Sequence, residues 1–269
     1  MAITAADVKK LRDATGAGMM DAKKALTEAE GDFEKAIEIL RVTGAAKAAK
    51  RSDRDATNGI VVASGTTMVQ VGAETDFVAK NAEFIELAES VVVAVEAAAV
   101  DGKEAAAEVV VDGRTVAEAI NELAVKIGEK LELTNSAHFD GSVDIYLHRR
   151  NPDLPPQVGV MVEYEGDNAE FVHQVALQIA SMRPVYVNRE DVPADLVATE
   201  RRIAEETARE EGKPEAALAK IVEGRVGGFF KDVVLVEQPA VFDDKKTVGA
   251  LAAEHGVVIK RFVRFAAGA

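Results

Sequence analysis

Two short motifs recur in the same order along the chain, and the distances between their copies dictate its plan. Asn81-Ala-Glu-Phe84 returns 87 residues later as Asn168-Ala-Glu-Phe171, and Arg114-Thr-Val116 is echoed 132 residues later by Lys246-Thr-Val248. The offsets differ by 45 residues, so one α/β plan is used twice and the second copy carries an insertion of about that size. In the first copy, Ile60–Ala63 and Thr67–Val71 are β-rich runs around Ser64-Gly65, a hairpin pattern. Glu74-Thr-Asp-Phe-Val78 then leads into a helix carrying Phe84, Leu87, Ala88, Val91 and Val95 at helical spacing. A second helix spans Val116 to Ile127, and Leu131–Thr134 reads as a returning strand. In the second copy Val158–Val162 is a strand, Asn168 opens a helix, and Ile259–Phe265 closes the plan.

The insertion falls in a charged, strand-poor segment between Asn188 and Val226, with a thin apolar seam from Leu196, Ile203 and Leu218 to Val222. Gly212-Lys-Pro214 sits in its middle, with Gly suited to C′ and Pro to N1. This predicts a helical hairpin over about 190–228, either a projecting antiparallel coiled coil or an ordinary surface helix pair.

Upstream of the repeat, residues 4–42 read as three short helices. Thr4 and Asp7 have capping-box spacing, Gly16-Ala-Gly18 breaks the first helix, Gly31 ends the second and Asp32 caps the third. Residues 44–58 carry Lys47, Lys50, Arg51 and Arg54 without a large apolar residue, which fits a solvated linker or a basic nucleic-acid patch. No aromatic lies there to stack a base. Residues 1–58 hold 11 Lys/Arg against 10 Asp/Glu, whereas the remainder holds 21 against 36, so the formal charge of −14 sits beyond a boundary near residue 58. That acidity argues against nucleic acid as principal ligand.

The search for chemistry is mostly exclusion. The chain has no Cys, which removes disulfides, thiolate metal sites and Cys nucleophiles. Gly16-Ala-Gly18 follows a helix and lacks the third glycine of a dinucleotide fingerprint. No P-loop, G-x-S-x-G or H-E-x-x-H pattern is present, and the four histidines share no ligand spacing, so neither cofactor nor metal is expected. Val91–Val95 meets Glu96 and is too short to span a bilayer; with no leader pattern, the chain reads as soluble and cytoplasmic, with no membrane partner. One loop stands out. Thr75 or Asp76 suits a helix N-cap, and Phe77 is either a core residue, seven positions before Phe84, or a wedge that enters a partner.

Four segments together resemble the bacterial elongation factor Ts family across nearly the whole chain. They are Thr15-Gly-Ala-Gly-Met-Met-Asp21 with Lys23-Lys-Ala-Leu26; Thr75-Asp-Phe-Val-Ala-Lys80; Val125-Lys-Ile-Gly-Glu129; and Val222-Glu-Gly-Arg225 with Lys246-Thr-Val-Gly249. The resemblance implies an α+β fold with an N-terminal three-helix UBA-like (ubiquitin-associated-like) bundle and a duplicated two-subdomain α/β core. The core has small antiparallel sheets and an inserted coiled-coil hairpin. On this chain the bundle is expected over 1–43, a basic linker over 44–58, a core N-subdomain over 59–140 and a core C-subdomain over 141–269. The family binds the GTPase elongation factor Tu and promotes GDP release so that GTP can bind, which requires no covalent chemistry.

Carried over residue by residue, the resemblance assigns Asp76 and Phe77 to a loop that intrudes on the GTPase. Phe77 is implied to wedge between helices, and Asp76 to support the rearrangement that dislodges Mg²⁺. Thr75, Val78 and Ala79 are implied to shape and flank that loop. Arg12, Met19 and Met20 match a face gripping the same domain, although spacing alone suits the two methionines equally to bundle core. Ile127 and Gly128 match a second core contact. Tyr146 and His148 fall where the family touches a more distant domain, beside a departure from the pattern over Arg149–Gln157. Some members continue into a C-terminal helical module; this sequence ends at Phe265-Ala-Ala-Gly-Ala269, so that module's contacts are expected to be absent. Self-association through the hairpin is compatible with the sequence. An adaptor that holds clients, or an enzyme with an acidic pair, are the alternatives; a complex that dissolves on adding GDP separates exchange from the adaptor, and a turnover screen tests the enzyme.

Overall fold

The computed structural model describes residues 3–51 and 53–268. The chain divides into two compact units, one comprising Met1–His138, Arg149–Val158 and Phe265–Ala269, the other Phe139–His148 and Gly159–Arg264.

The first unit opens with helices α1 (Ala5–Thr15), α2 (Met19–Glu28) and α3 (Phe33–Ala49). Thr4 and Asp7 exchange bonds in a capping box, and Gly16 ends α1 at φ 66°, a left-handed conformation that side chains disfavour. The Asp32 carboxylate accepts the Lys35 amide at 3.0 Å at the start of α3. Leu11, Ala22, Leu26 and Ala36 close a small core between the three helices.

A sheet follows. Strands β1 (Asn58–Ser64) and β2 (Thr67–Ala73) form an antiparallel hairpin, with Ser64 paired to Thr67. A one-turn helix α4 (Asp76–Ala79) precedes α5 (Ala82–Ala98) and the short α6 (Lys103–Ala107). A two-stranded ribbon, β3 (Val110–Val111) and β4 (Arg114–Thr115), then feeds α7 (Val116–Ile127). Thr115 and Glu118 form the capping box of α7. Strand β5 (Leu131–His138) returns beside β2, antiparallel, with a bulge at Gln70/Val71, giving the order β1-β2-β5. Val69, Val71, Phe84, Val91, Val95 and Ile120 form its core.

The expected linker over 44–58 is corrected at its start, because α3 runs through Ala49. The alanine-rich run favours helix. Gly44 is buried against α7, where a Cβ would stand 2.5 Å from Val125 Cγ1. The contact is made by the lack of a side chain, which is why composition alone made the segment look solvated. Arg54 is drawn into the fold by an ion pair with Glu74 at 3.1 Å. The side chain of Lys47 lies outside the described residues.

The second unit runs the same order. Strands β6 (Ser142–His148) and β7 (Val158–Glu165) lead to α8 (Ala169–Met182), capped by Asn168 as α5 is by Asn81. After the insertion, β8 (Pro239–Ala240) and β9 (Asp243–Thr247) form a ribbon that feeds α11 (Val248–Glu254), capped by Thr247 as α7 is by Thr115. Strand β10 (Val258–Ala266) completes the order β10-β7-β6. In both sheets the second hairpin strand is central and the last strand closes on it.

The insertion consists of α9 (Ala194–Glu210) and α10 (Glu215–Val233) packed on each other through Ala204, Val222, Val226 and Phe230. It extends to Val233, past the expected end near 228, because Phe230 and Val234 pack with Val192 at its base. Gly212, at φ 70°, turns the chain between the helices. Pro214 is the N-cap of α10, one position before the expected N1. The molecule is α+β. No described helix is long and apolar enough to cross a membrane.

Candidate functional site

The site is built at the end of the β2–β5 ladder. The last backbone pair is Ala73 with Leu131. Beyond it the chain leaves the sheet and winds one turn of helix. Thr75 caps that turn, its hydroxyl oxygen accepting the Val78 amide at 3.4 Å. Asn81 then caps α5, its side chain accepting the amides of Glu83 at 2.9 Å and Phe84 at 3.4 Å. Two caps six positions apart prevent one continuous helix. Phe77 therefore does not share a face with Phe84, and the core reading of Phe77 is overturned: it is 80% exposed.

Val78 and Ala79 point the other way and are buried in the core of the first unit. They anchor the turn from beneath and offer a partner no free surface. Asp76 is half-buried beside Phe77. Single exposed apolar residues are ordinary on a protein surface, but a phenylalanine held outward on a capped, anchored turn is a candidate interface anchor.

Glu74 and Glu129 were missed as functional positions in the sequence. Thr75 donates its amide to Glu129 Oε2 at 3.1 Å and its hydroxyl to Glu129 Oε1 at 2.9 Å. The Lys130 amide donates to Glu74 Oε1 at 2.5 Å, and the Arg54 guanidinium meets both oxygens of Glu74. The signal available was the quoted Val125–Glu129 segment, in which Glu129 went unassigned. Gly128 ends α7 at φ 89° and turns the chain so that Glu129 reaches Thr75. Ile127 and Gly128, both half-buried, thus adjoin the Thr75 turn. The bundle meets the same end of α7, since a Cβ on Gly16 would strike the Lys126 side chain at 2.6 Å. On the bundle, Met19 is 50% and Met20 76% exposed, so both leave its core. Arg12 is exposed and paired with Asp13 at 2.9 Å.

Tyr146 and His148 belong to the second unit. Strand alternation puts Asp144, Tyr146 and His148 on one face of β6. Tyr146 Oη lies 2.8 Å from His148 Nδ1, and its ring meets His173 edge-on. A cleft of about 430 Å³ lies between α1, α5 and α7, lined by Asp13, Glu83, Glu86, Asp112 and Glu122. Its cations, Arg114 and Lys126, are paired with Glu122 and Glu83, so its charge opposes nucleotide phosphate. Among the described residues no group of three or more acidic or histidine side chains is placed to hold a metal ion.

In the first unit, Glu74 and Glu96 are among the carboxyls held below the usual range. Partial burial pushes Glu74 up, but the Lys130 amide and the Arg54 guanidinium outweigh it. Burial likewise pushes Glu96 up, outweighed by the Thr67 hydroxyl, the Thr66 amide and His138. Each carboxyl binds fewer protons folded than unfolded. Their stabilisation is therefore present above about pH 4.5, the ordinary glutamate value, and is lost as pH falls through the lowered folded values. Thermal melts from about pH 6 to about pH 3 are expected to show falling midpoints, with a shallower fall in Glu74→Gln/Glu96→Gln. An equally steep fall in the double variant would refute this assignment.

The family model described as Elongation factor TS matches residues 74–269. The chain is 64% identical to the Elongation factor Ts of Cutibacterium acnes over 269 residues, covering all of both chains. It is 58% identical to that of Saccharopolyspora erythraea over 265 residues and 57% identical to that of Mycolicibacterium smegmatis over 269 residues, each covering 98% of both chains. A match of this extent and completeness leaves one assignment: the chain belongs to the elongation factor Ts family of translation elongation factors.

Proposed function

We propose that this chain is a guanine-nucleotide exchange factor for elongation factor Tu, acting without covalent chemistry or cofactor in the cytoplasm. The observation that carries the reading is Phe77, held outward on the anchored turn after β2 in a chain of this family. A GTPase holds GDP through backbone amides around its phosphates and through Mg²⁺. Phe77 enters between helices of the GTPase, and Asp76 beside it supports the shift that dislodges Mg²⁺. By linkage, the factor weakens GDP by the factor by which GDP weakens it. Such coupling needs a contact stronger in the nucleotide-free state than in the GDP-bound state, and a wedge supplies one.

The remaining contacts divide by unit. Arg12, Met19 and Met20 on the bundle, which we take as UBA-like, grip the same GTPase domain, with Ile127 and Gly128 beside the turn. Tyr146 and His148 reach a second domain of the partner. The α9–α10 pair serves as a coiled coil, and half-exposed Ile203 on it suits self-association. The test is release of a fluorescent GDP analogue from elongation factor Tu, followed by stopped flow. Acceleration that saturates with the chain is expected, and no acceleration at any concentration would end the proposal.

A further inference from the structure

We infer that Glu129, together with Glu74, is a positioning pair that holds Phe77 in its outward pose. The inference rests on the exchange reading above and deepens it. Past the Ala73–Leu131 pair, β2 and β5 diverge and the backbone ladder stops. Two backbone amides just past the break, those of Thr75 and Lys130, nevertheless remain bonded. Glu129 takes the Thr75 amide at 3.1 Å, and Glu74 takes the Lys130 amide at 2.5 Å. Two carboxylates thus cross in opposite directions and replace the carbonyls the ladder no longer supplies. Bonds to ionised acceptors are shorter and stronger than neutral ones.

The crossing fixes more than the strand ends. Glu129 also takes the Thr75 hydroxyl, at 2.9 Å, which leaves the oxygen lone pairs of Thr75 aimed at the Val78 amide. The cap that winds the turn is therefore oriented by Glu129, two residues after Ile127 ends α7. Arg54, paired with Glu74 at 3.1 Å, ties the approach to β1 into the same clamp. The Asn58 amide group adds a bond to the Glu74 carbonyl at 2.8 Å. Phe77 makes none of these bonds; it is presented by them.

The test uses the full chain with elongation factor Tu preloaded with the fluorescent GDP analogue. Glu129→Ala is expected to lower the saturating release rate about tenfold. The concentration giving half-maximal release should change less than about threefold, because contact with the GDP-bound form does not depend on the wedge. Amide exchange at Thr75–Lys80 should quicken while α5 stays protected. Glu129→Gln, which keeps one acceptor oxygen, should recover part of the rate. In a Phe77→Ala background, Glu129→Ala should add almost nothing, as expected of residues acting through one contact. Full additivity with Phe77→Ala, or an unchanged saturating rate, would overturn the inference. If Glu129→Ala fails to fold, Glu129→Gln carries the same double-variant comparison. If the wild type itself does not accelerate release, the exchange reading falls, whereas unaltered amide exchange at Thr75–Lys80 in the Glu129 variants sinks the clamp separately.

Discussion

Phe77→Ala is expected to cut acceleration of GDP release about tenfold to a hundredfold while leaving the melting temperature where it was. The two halves of that result come from one fact, the 80% exposure of Phe77 in the free chain. A side chain that buries so little at home loses little on truncation, about 0.5 kcal/mol or less. The same side chain, buried in a partner, contributes about 1.5–3 kcal/mol from its apolar area, and a central aromatic anchor can exceed that. If the contact is made best in the nucleotide-free complex, as proposed, its loss falls on the release rate more than on capture of the GDP-bound form. Stopped-flow release at saturating factor, beside a thermal melt of the same preparation, checks both halves. A destabilised variant would mean that Phe77 is part of the core, and an undiminished rate would mean that it is not the wedge.

The duplicated plan was legible because each copy of a motif performs the same local task. Asn81 and Asn168 cap α5 and α8, and Thr115 and Thr247 cap α7 and α11, so polar residues recur where helix amides need acceptors. Phe84 and Phe171, three residues after each asparagine, are buried in the two cores. What escaped was carried by side chains that act across the fold. Strand β6 reads poorly because none of its residues is fully buried, and three of the four ribbon strands before α7 and α11 are only two residues long. Gly44 contributes by having no side chain, a signal visible only once Val125 is beside it. Glu74 and Glu129 look like two more charges in an acidic chain until the ladder ends between them. The Thr75–Ala79 turn lay between these cases. Its cap was readable from Thr75, but helical periodicity alone ran Phe77 and Phe84 together.

That ambiguity makes Phe84→Ala the other decisive experiment. Phe84 is fully buried on α5 among the side chains that join the sheet to α5 and α7. Removing the ring leaves a cavity that rigid neighbours on three elements fill only in part, so a loss of about 3–5 kcal/mol is expected. That is a large share of the ~5–15 kcal/mol that a folded domain has to lose. In a chain of this size it lowers the melting midpoint by ~10 °C. Chemical denaturation should show the midpoint move with little change in slope. The comparison with Phe77→Ala then tests the break at Asn81 directly. Were residues 76–98 one continuous helix, two phenylalanines seven positions apart would face the same core and both substitutions would destabilise. With the chain broken by its second cap, only Phe84→Ala should. Equal losses from the two variants would contradict the Asn81 cap, and with it the outward pose of Phe77 on which the proposed exchange role rests.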